Sequence, residues 1–218
     1  MEEIIISVAQ RTMVAGTPLL LGTIGEVLCE RSGILNLGVE GVMSIGAVTA
    51  FIVTFVTLNP WLGLLAGICA GMLISIIHAF ASITLQSNQV VSGLALTMLG
   101  LGISGLMGKP YIGRPLIVKM DPLAIPFLSD IPYLGRIFFM HSPFFYLAII
   151  LAFVTWFILE HTSIGIKIRS TGENPRATET QGVNVSRIKY YCVIIGGGFS
   201  GMAGAIYPSL TVSRGSRA

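Results

Sequence analysis

The chain has 218 residues, 53% of them apolar and 11% charged, whereas soluble domains carry about 25% charged residues. Mean hydropathy is +0.83, and positions 41–108 hold no Asp, Glu, Lys or Arg, which leaves His78 and Cys69 as the ionisable side chains there. A water-soluble domain could not present such a stretch without large exposed apolar patches, so the chain reads as an integral membrane protein. The formal charge of +3 is small and its basic residues lie in connecting segments, which excludes a nucleic-acid stripe. Cys29, Cys69 and Cys192 stand alone without C-x-x-C spacing, so they read as small buried hydrophobes rather than a disulfide framework. The start, MEEIIISVAQR, has two acids where a secretory signal carries positive charge, and no cleaved signal peptide is expected.

The first apolar run, 13–28, is interrupted by Pro18, Gly22 and Gly25 and ends in Glu26, Glu30 and Arg31. Glu26 and Glu30, four apart, share a helix face. Such charge belongs at an interface rather than at bilayer mid-depth, and Ser32-Gly33 is expected to break the helix. A second span is expected over 42–58, ended by the turn signal Asn59-Pro60. The third run, 61–85, is long enough to span about 30 Å of hydrocarbon. Its Gly63, Gly67 and Gly71 recur every four residues, a groove in which another helix backbone can approach closely.

The polar knot Gln86-Ser87-Asn88-Gln89 precedes a fourth span, 90–107. The proline-rich stretch 108–142 is too polar and broken to cross a membrane. Spans are expected again at 144–159 and at 192–210, the latter rich in glycine, giving about six in all. The fold expected is therefore all-α, a polytopic helical bundle forming a single domain.

Between the last two spans lies a polar island, 160–191. Asn174-Pro175 reads there as an N-cap and first helical residue, and Gly182 as a left-handed stop. A short capped helix, 175–181, follows, carrying Arg176 and Glu179. It can be a docking element for a soluble partner or an ordinary solvated loop. The island holds five basic residues and the proline-rich loop four, too even a division to set orientation. The docking reading puts the island in the cytoplasm, with 26–40 and 86–89 on the same side and the N-terminus outside.

Gly100/Gly102/Gly105 and Gly196/Gly198/Gly201 match G-x-G-x-x-G, but they lie in apolar runs with no strand before them, and close helix packing explains them better. Gly108-Lys109 is no phosphate loop, since Ile103 and Pro110 stand where glycine and Ser/Thr are required. His78, His141 and His161 are too scattered for a metal site. His78, near one end of its span, reads as snorkelling toward the interface, with a proton relay as the alternative. No catalytic constellation stands out. Asn36, Asn88, Gln89, Ser92 and Thr97 can bond across helices or line a pathway; as a set they suit an uncharged solute better than an ion.

Gly172-Glu173-Asn174-Pro175, Ala177 and Gly182-Val183-Asn184-Val185 resemble the cytoplasmic coupling loop of ATP-binding-cassette importer permeases, in the group of ribose and branched-chain amino-acid permeases. Thr17-Pro18-Leu19-Leu20, the stretch from Glu30-Arg31-Ser32-Gly33 through Asn36-Leu37-Gly38-Val39-Glu40-Gly41, and Asn88 to Leu94 are similar to its simple-sugar and nucleoside branch. The resemblance runs from about Thr17 to Pro208.

It implies a non-enzymatic subunit in a bacterial-type cell membrane, importing a small neutral polar solute, a nucleoside or simple sugar, by alternating access. It further implies a second permease subunit, an ABC ATPase with paired nucleotide sites, and an extracytoplasmic solute-binding lipoprotein. Lipid surrounds the chain, and no cofactor is expected on it. Gly172, Glu173, Asn174, Pro175, Arg176, Glu179 and Gly182 would carry ATPase coupling. Thr178 and Thr180 stand where relatives often have alanine, which changes the helix's surface polarity but need not stop docking. The end Ser209–Ala218 departs from the family pattern, as a C-terminally truncated chain would. A non-transporting remnant is thus one alternative, and an ion-coupled secondary transporter using His78 or the Glu26/Glu30/Arg31 cluster is another.

Overall fold

The computed structural model describes residues 1–114, 123–124 and 140–212. Most of the proline-rich stretch and the end of the chain from 213 lie outside them. Helix α1, Glu2–Arg31, is one unbroken helix with Pro18 inside it, where the sequence suggested an interrupted run over 13–28. Proline removes one backbone bond, which membrane helices tolerate when Ser or Thr hydroxyls serve the neighbouring carbonyls. Thr17 Oγ1 donates to the Met13 carbonyl (2.9 Å) in that turn. The break comes at Ser32-Gly33: Ser32 Oγ donates to Cys29 O (2.7 Å), and Gly33 takes φ +83°, a conformation glycine adopts without strain.

After the turn 32–38 come α2, Val39–Thr57, and α3, Pro60–Ala79, started by Asn59, whose Oδ1 accepts from Trp61 N. One π turn, Phe80–Thr84, continues α3. Helix α4, Gln89–Gly108, is N-capped by Asn88 and runs into the short 3₁₀ turn Lys109–Tyr111. A two-residue antiparallel pairing joins Leu123–Ala124 to Met140–His141. Then follow α5, Pro143–His161, α6, Ser163–Glu173, α7, Pro175–Thr180, and α8, Val185–Val212.

Helix α8 is the hub, packed most extensively against α3, α2 and α1. Small residues make this possible, because they let helix backbones approach without side chains between them. A methyl added at Gly71 would collide with the Gly197 carbonyl and lie 2.7 Å from the Gly201 Cα; one at Gly67 would lie 3.0 Å from the Gly46 carbonyl oxygen. The Gly63/Gly67/Gly71 groove is thus filled by α2 and α8. Around this seam, Leu21 and Ile24 of α1, Phe144 and Ala148 of α5, and Met202 and Ile206 of α8 form the main apolar core.

Among the described residues five helices are long and apolar enough to cross a membrane: Ile4–Arg31, Val39–Thr57, Pro60–Thr84, Gln89–Tyr111 and Pro143–His161. This corrects the expected six. The remaining candidate, 192–210, falls on α8, which is not among the five. Its first turns carry Ser186, Arg187 and Lys189, and glycines at 196, 197, 198, 201 and 204 stand where a lipid-facing span would carry large apolar side chains. Enclosure by three helices replaces hydrophobicity there.

Candidate functional site

Two polar assemblies lie at one end of the bundle. There α1 ends, α2 and α4 begin, the π turn closes α3, and the island emerges from α5. The first assembly is the island. Thr162 caps α6 by accepting from Gly165 N (3.3 Å), and an ion pair joins Arg169 to Glu160 across the α5–α6 elbow (2.7 Å). Gly165 lies so close to the Ile158 and Leu159 carbonyls that a side chain would not fit. Ile168 anchors α6 in a small core with Leu28, Leu159 and Cys192.

Asn174 then starts α7: its Oδ1 accepts from Ala177 N (3.1 Å), and Pro175 occupies the first turn. At the other end Gly182 has φ +79°. Its N–H bonds to Glu179 O (2.9 Å) while that of Val183 bonds to Thr178 O (3.4 Å), the paired bonds of a Schellman stop. The helix ends at Thr180 with Gln181 as its cap, one residue short of the expected 181. Glu173, Asn174, Arg176, Glu179 and Gly182 are exposed, while Gly172 and Pro175 are half-buried. Thr178, expected at the surface, is buried and donates to Asn174 O (3.0 Å); it fastens the helix to its own cap.

The second assembly surrounds the turn 32–38. The turn's first three N–H groups, Ser32 to Ile34, bond back to the Cys29 and Glu30 carbonyls; the N–H groups beyond them need other partners. Leu35 N donates to Gln89 Oε1 (2.8 Å), and Asn36 N donates to Glu26 Oε1 (2.9 Å). Gly38 N donates to Asn36 Oδ1 (2.9 Å). Thr97 Oγ1 donates to Leu37 O (3.0 Å), with Gly93 O as a second, longer partner. Beside them His78 Nδ1 bonds Ser92 Oγ (3.0 Å), with Ser82 Oγ at 3.4 Å. His78 is only 1% exposed, so it does not snorkel: the π turn folds Ser82 back over it.

Of the five proposed pathway residues, Asn36, Gln89, Ser92 and Thr97 are therefore brought together around the turn. Asn88 stands at the edge, where its Oδ1 caps α4 by accepting from Val90 N and Val91 N. A groove of about 370 Å³ between α3 and α4 reaches Asn88 and Ser92, with Ile77, Val91 and Leu99 among its apolar walls. Glu26 was legible as an interface charge but not as a ligand of the turn. Among the described residues no group of three or more His, Cys, Asp or Glu is placed to hold a metal ion.

The two assemblies touch. Gly172, at the end of α6, meets the turn backbone to backbone: a methyl on it would collide with the Arg31 carbonyl, and one on Gly33 would lie 3.1 Å from the Gly172 Cα. On the same side Thr84 and the Tyr190 hydroxyl share a 2.6 Å bond between the end of α3 and the start of α8.

The family model described as "Branched-chain amino acid transport system / permease component" matches residues 8–216. The chain belongs to this permease family. It is thus a multi-pass membrane protein of the cell membrane. Within the family it is 43% identical over 220 residues to the guanosine ABC transporter permease protein NupQ of Bacillus subtilis, covering 95% of this chain and 68% of that protein. It is 42% identical over 217 residues to the putative glucose ABC transporter permease protein TsgC13 of Haloferax volcanii, covering 94% and 66%. With the nucleoside ABC transporter permease protein NupC of Lactococcus lactis the identity is 35% over 205 residues, covering 89% and 65%. The chain spans about two thirds of the length of these relatives. No solved structure matches it.

Proposed function

We propose that this permease-family chain is a membrane subunit of an ATP-driven importer, moving a nucleoside or simple sugar into the cell by alternating access. The observation that carries the reading is the capped helix α7. It is stiffened at both ends, exposes Arg176 and Glu179, and stands on the island between α5 and α8. A rigid charged helix at the end of a membrane bundle suits docking into a cleft of a cytoplasmic ATPase, which would hydrolyse the ATP on its own chain. Gly172, Glu173, Asn174, Pro175, Arg176, Glu179 and Gly182 form this coupling element within the cytoplasmic segment 160–191. A second permease subunit and an extracytoplasmic binding lipoprotein complete the assembly.

The solute class is supported by the guanosine, nucleoside and glucose named for the relatives, and by Asn88 and Ser92, uncharged polar residues that line the groove between α3 and α4. An ion-coupled mechanism is less well supported. Glu26 accepts from the Asn36 amide and His78 bonds two serines, so both hold structural bonds.

The test is co-purification and hydrolysis. Expressed with a candidate ATPase of the same genome, the chain should elute with it, and deletion of 175–181 should release it. Alanine at both Glu173 and Arg176 should abolish guanosine- or glucose-dependent ATP hydrolysis while leaving membrane insertion intact. Unchanged hydrolysis in that double variant would remove the coupling assignment.

A further inference from the structure

The seven-residue turn 32–38 touches both the coupling island and α4, the helix that carries Ser92. On one side Gly172 of α6 lies against Arg31 and Gly33 without an intervening side chain. On the other, α4 holds the turn by Gln89 to Leu35 N and Thr97 to Leu37 O. Gly93 lets the backbone of Leu37 lie directly on the helix, a methyl there falling 2.7 Å from Leu37 N. Glu26 fixes the centre of the turn to α1 through Asn36 N. Interiors packed this closely resist compression and pass displacement on. An ångström-scale push on α6 would therefore be relieved by moving the turn, and α4 is tied to the turn by two side-chain bonds and a backbone contact.

We infer that the turn 32–38 is the transmission element of the permease, carrying the stroke of α7 through Gly172 into α4. Gln89 and Thr97 are then positioning residues that grip the turn, rather than contacts for the solute. This rests on the importer reading above and deepens it. The mechanical route is α7, α6, the Gly33–Gly172 contact, the turn, then α4.

The experiment uses the full chain assembled with ATPase, second-permease and binding-protein chains in lipid vesicles, with labelled guanosine and glucose as probes. Thr97→Val and Gln89→Met keep side-chain size but lose the polar bond, and Thr97→Ser keeps the hydroxyl. Expected is a fall of at least about five-fold in solute moved per ATP hydrolysed, the lower end of ordinary coupling strengths, in Thr97→Val and Gln89→Met. The apparent KM should stay within about two-fold and Thr97→Ser should restore the ratio. A merely destabilised complex loses uptake and hydrolysis together, leaving that ratio in place, and such a result would overturn the inference. So would a raised KM at an unchanged ratio, which would make the two residues solute contacts; in either case the importer reading stands. If the unaltered complex neither takes up the probes nor protects the amides of 176–180 from hydrogen exchange when the ATPase is present, the importer reading falls and takes the inference with it.

Discussion

Helix α7 and the turn 32–38 lie at the same end of the molecule, are both polar, and are built in opposite ways. In α7 the fixing bonds are local: Asn174 with Ala177, Thr178 with Asn174, Gly182 with Glu179. Its charged side chains are left free to face outward. In the turn, local bonds close the two ends, but the centre, Leu35 to Leu37, is held by residues 10, 54 and 60 positions away, and the polar side chains point inward. A segment fixed locally keeps its shape when it is lifted or tilted, which a docking element requires. One fixed from two other helices moves only when those helices move, which suits a link.

The contrast can be broken experimentally, and the strongest blow falls on the turn. Replacing Glu26 by alanine leaves the enclosed Asn36 N–H without its acceptor, a loss of roughly 1–3 kcal/mol. Thermal unfolding of the purified chain in detergent should shift down by several degrees, while Glu26→Gln, which keeps an acceptor oxygen, should recover much of the loss. An Ala variant as stable as the parent would mean that the turn is not clamped as described. At the junction, Gly172→Val forces a side chain into the Arg31 carbonyl. Overpacking of this kind costs about 1–3 kcal/mol, and hydrogen exchange should quicken at Ile34–Gly38 as well as in α6. Exchange confined to α6 would separate the two assemblies.

In α7 itself, Asn174→Ala removes the cap, worth about 1 kcal/mol to the local helix. Exchange at the Ala177 amide should rise while the global melting temperature stays put, because little of the bundle core depends on α7. The smallest effect is expected for Glu179→Ala, within about 0.5 kcal/mol as for surface sites generally. A large loss of stability there would show that the exposed face of α7 is already engaged within the chain.

How much of this was legible follows the same division. The start of α7 at Asn174-Pro175, its stop at Gly182, the break at Ser32-Gly33 and the Gly63/Gly67/Gly71 groove are written in short spacings, and the structure has each of them. Helix α6 was not anticipated, because Ser163–Glu173 mixes isoleucines with charges and looks like loop until Ile168 finds its core. The continuity of α1 through Pro18 and the burial of His78 under Ser82 and Ser92 also escaped, since each depends on which neighbours supply the missing bonds.

The sequence by itself determined that the chain lives in a membrane, roughly where its apolar helices run, and that a capped helix would stand on a polar island. These follow from hydrophobicity and from backbone groups satisfied within a few residues. Only the tertiary structure decided that α8 is the hub although it is not among the five apolar spans, that Gln89, Thr97 and Glu26 converge on one turn, and that Gly172 rests against it. The physical reason is range: a helix or a cap closes its hydrogen bonds within four residues, whereas a turn left with open donors takes whatever side chains the packing of distant helices brings to it.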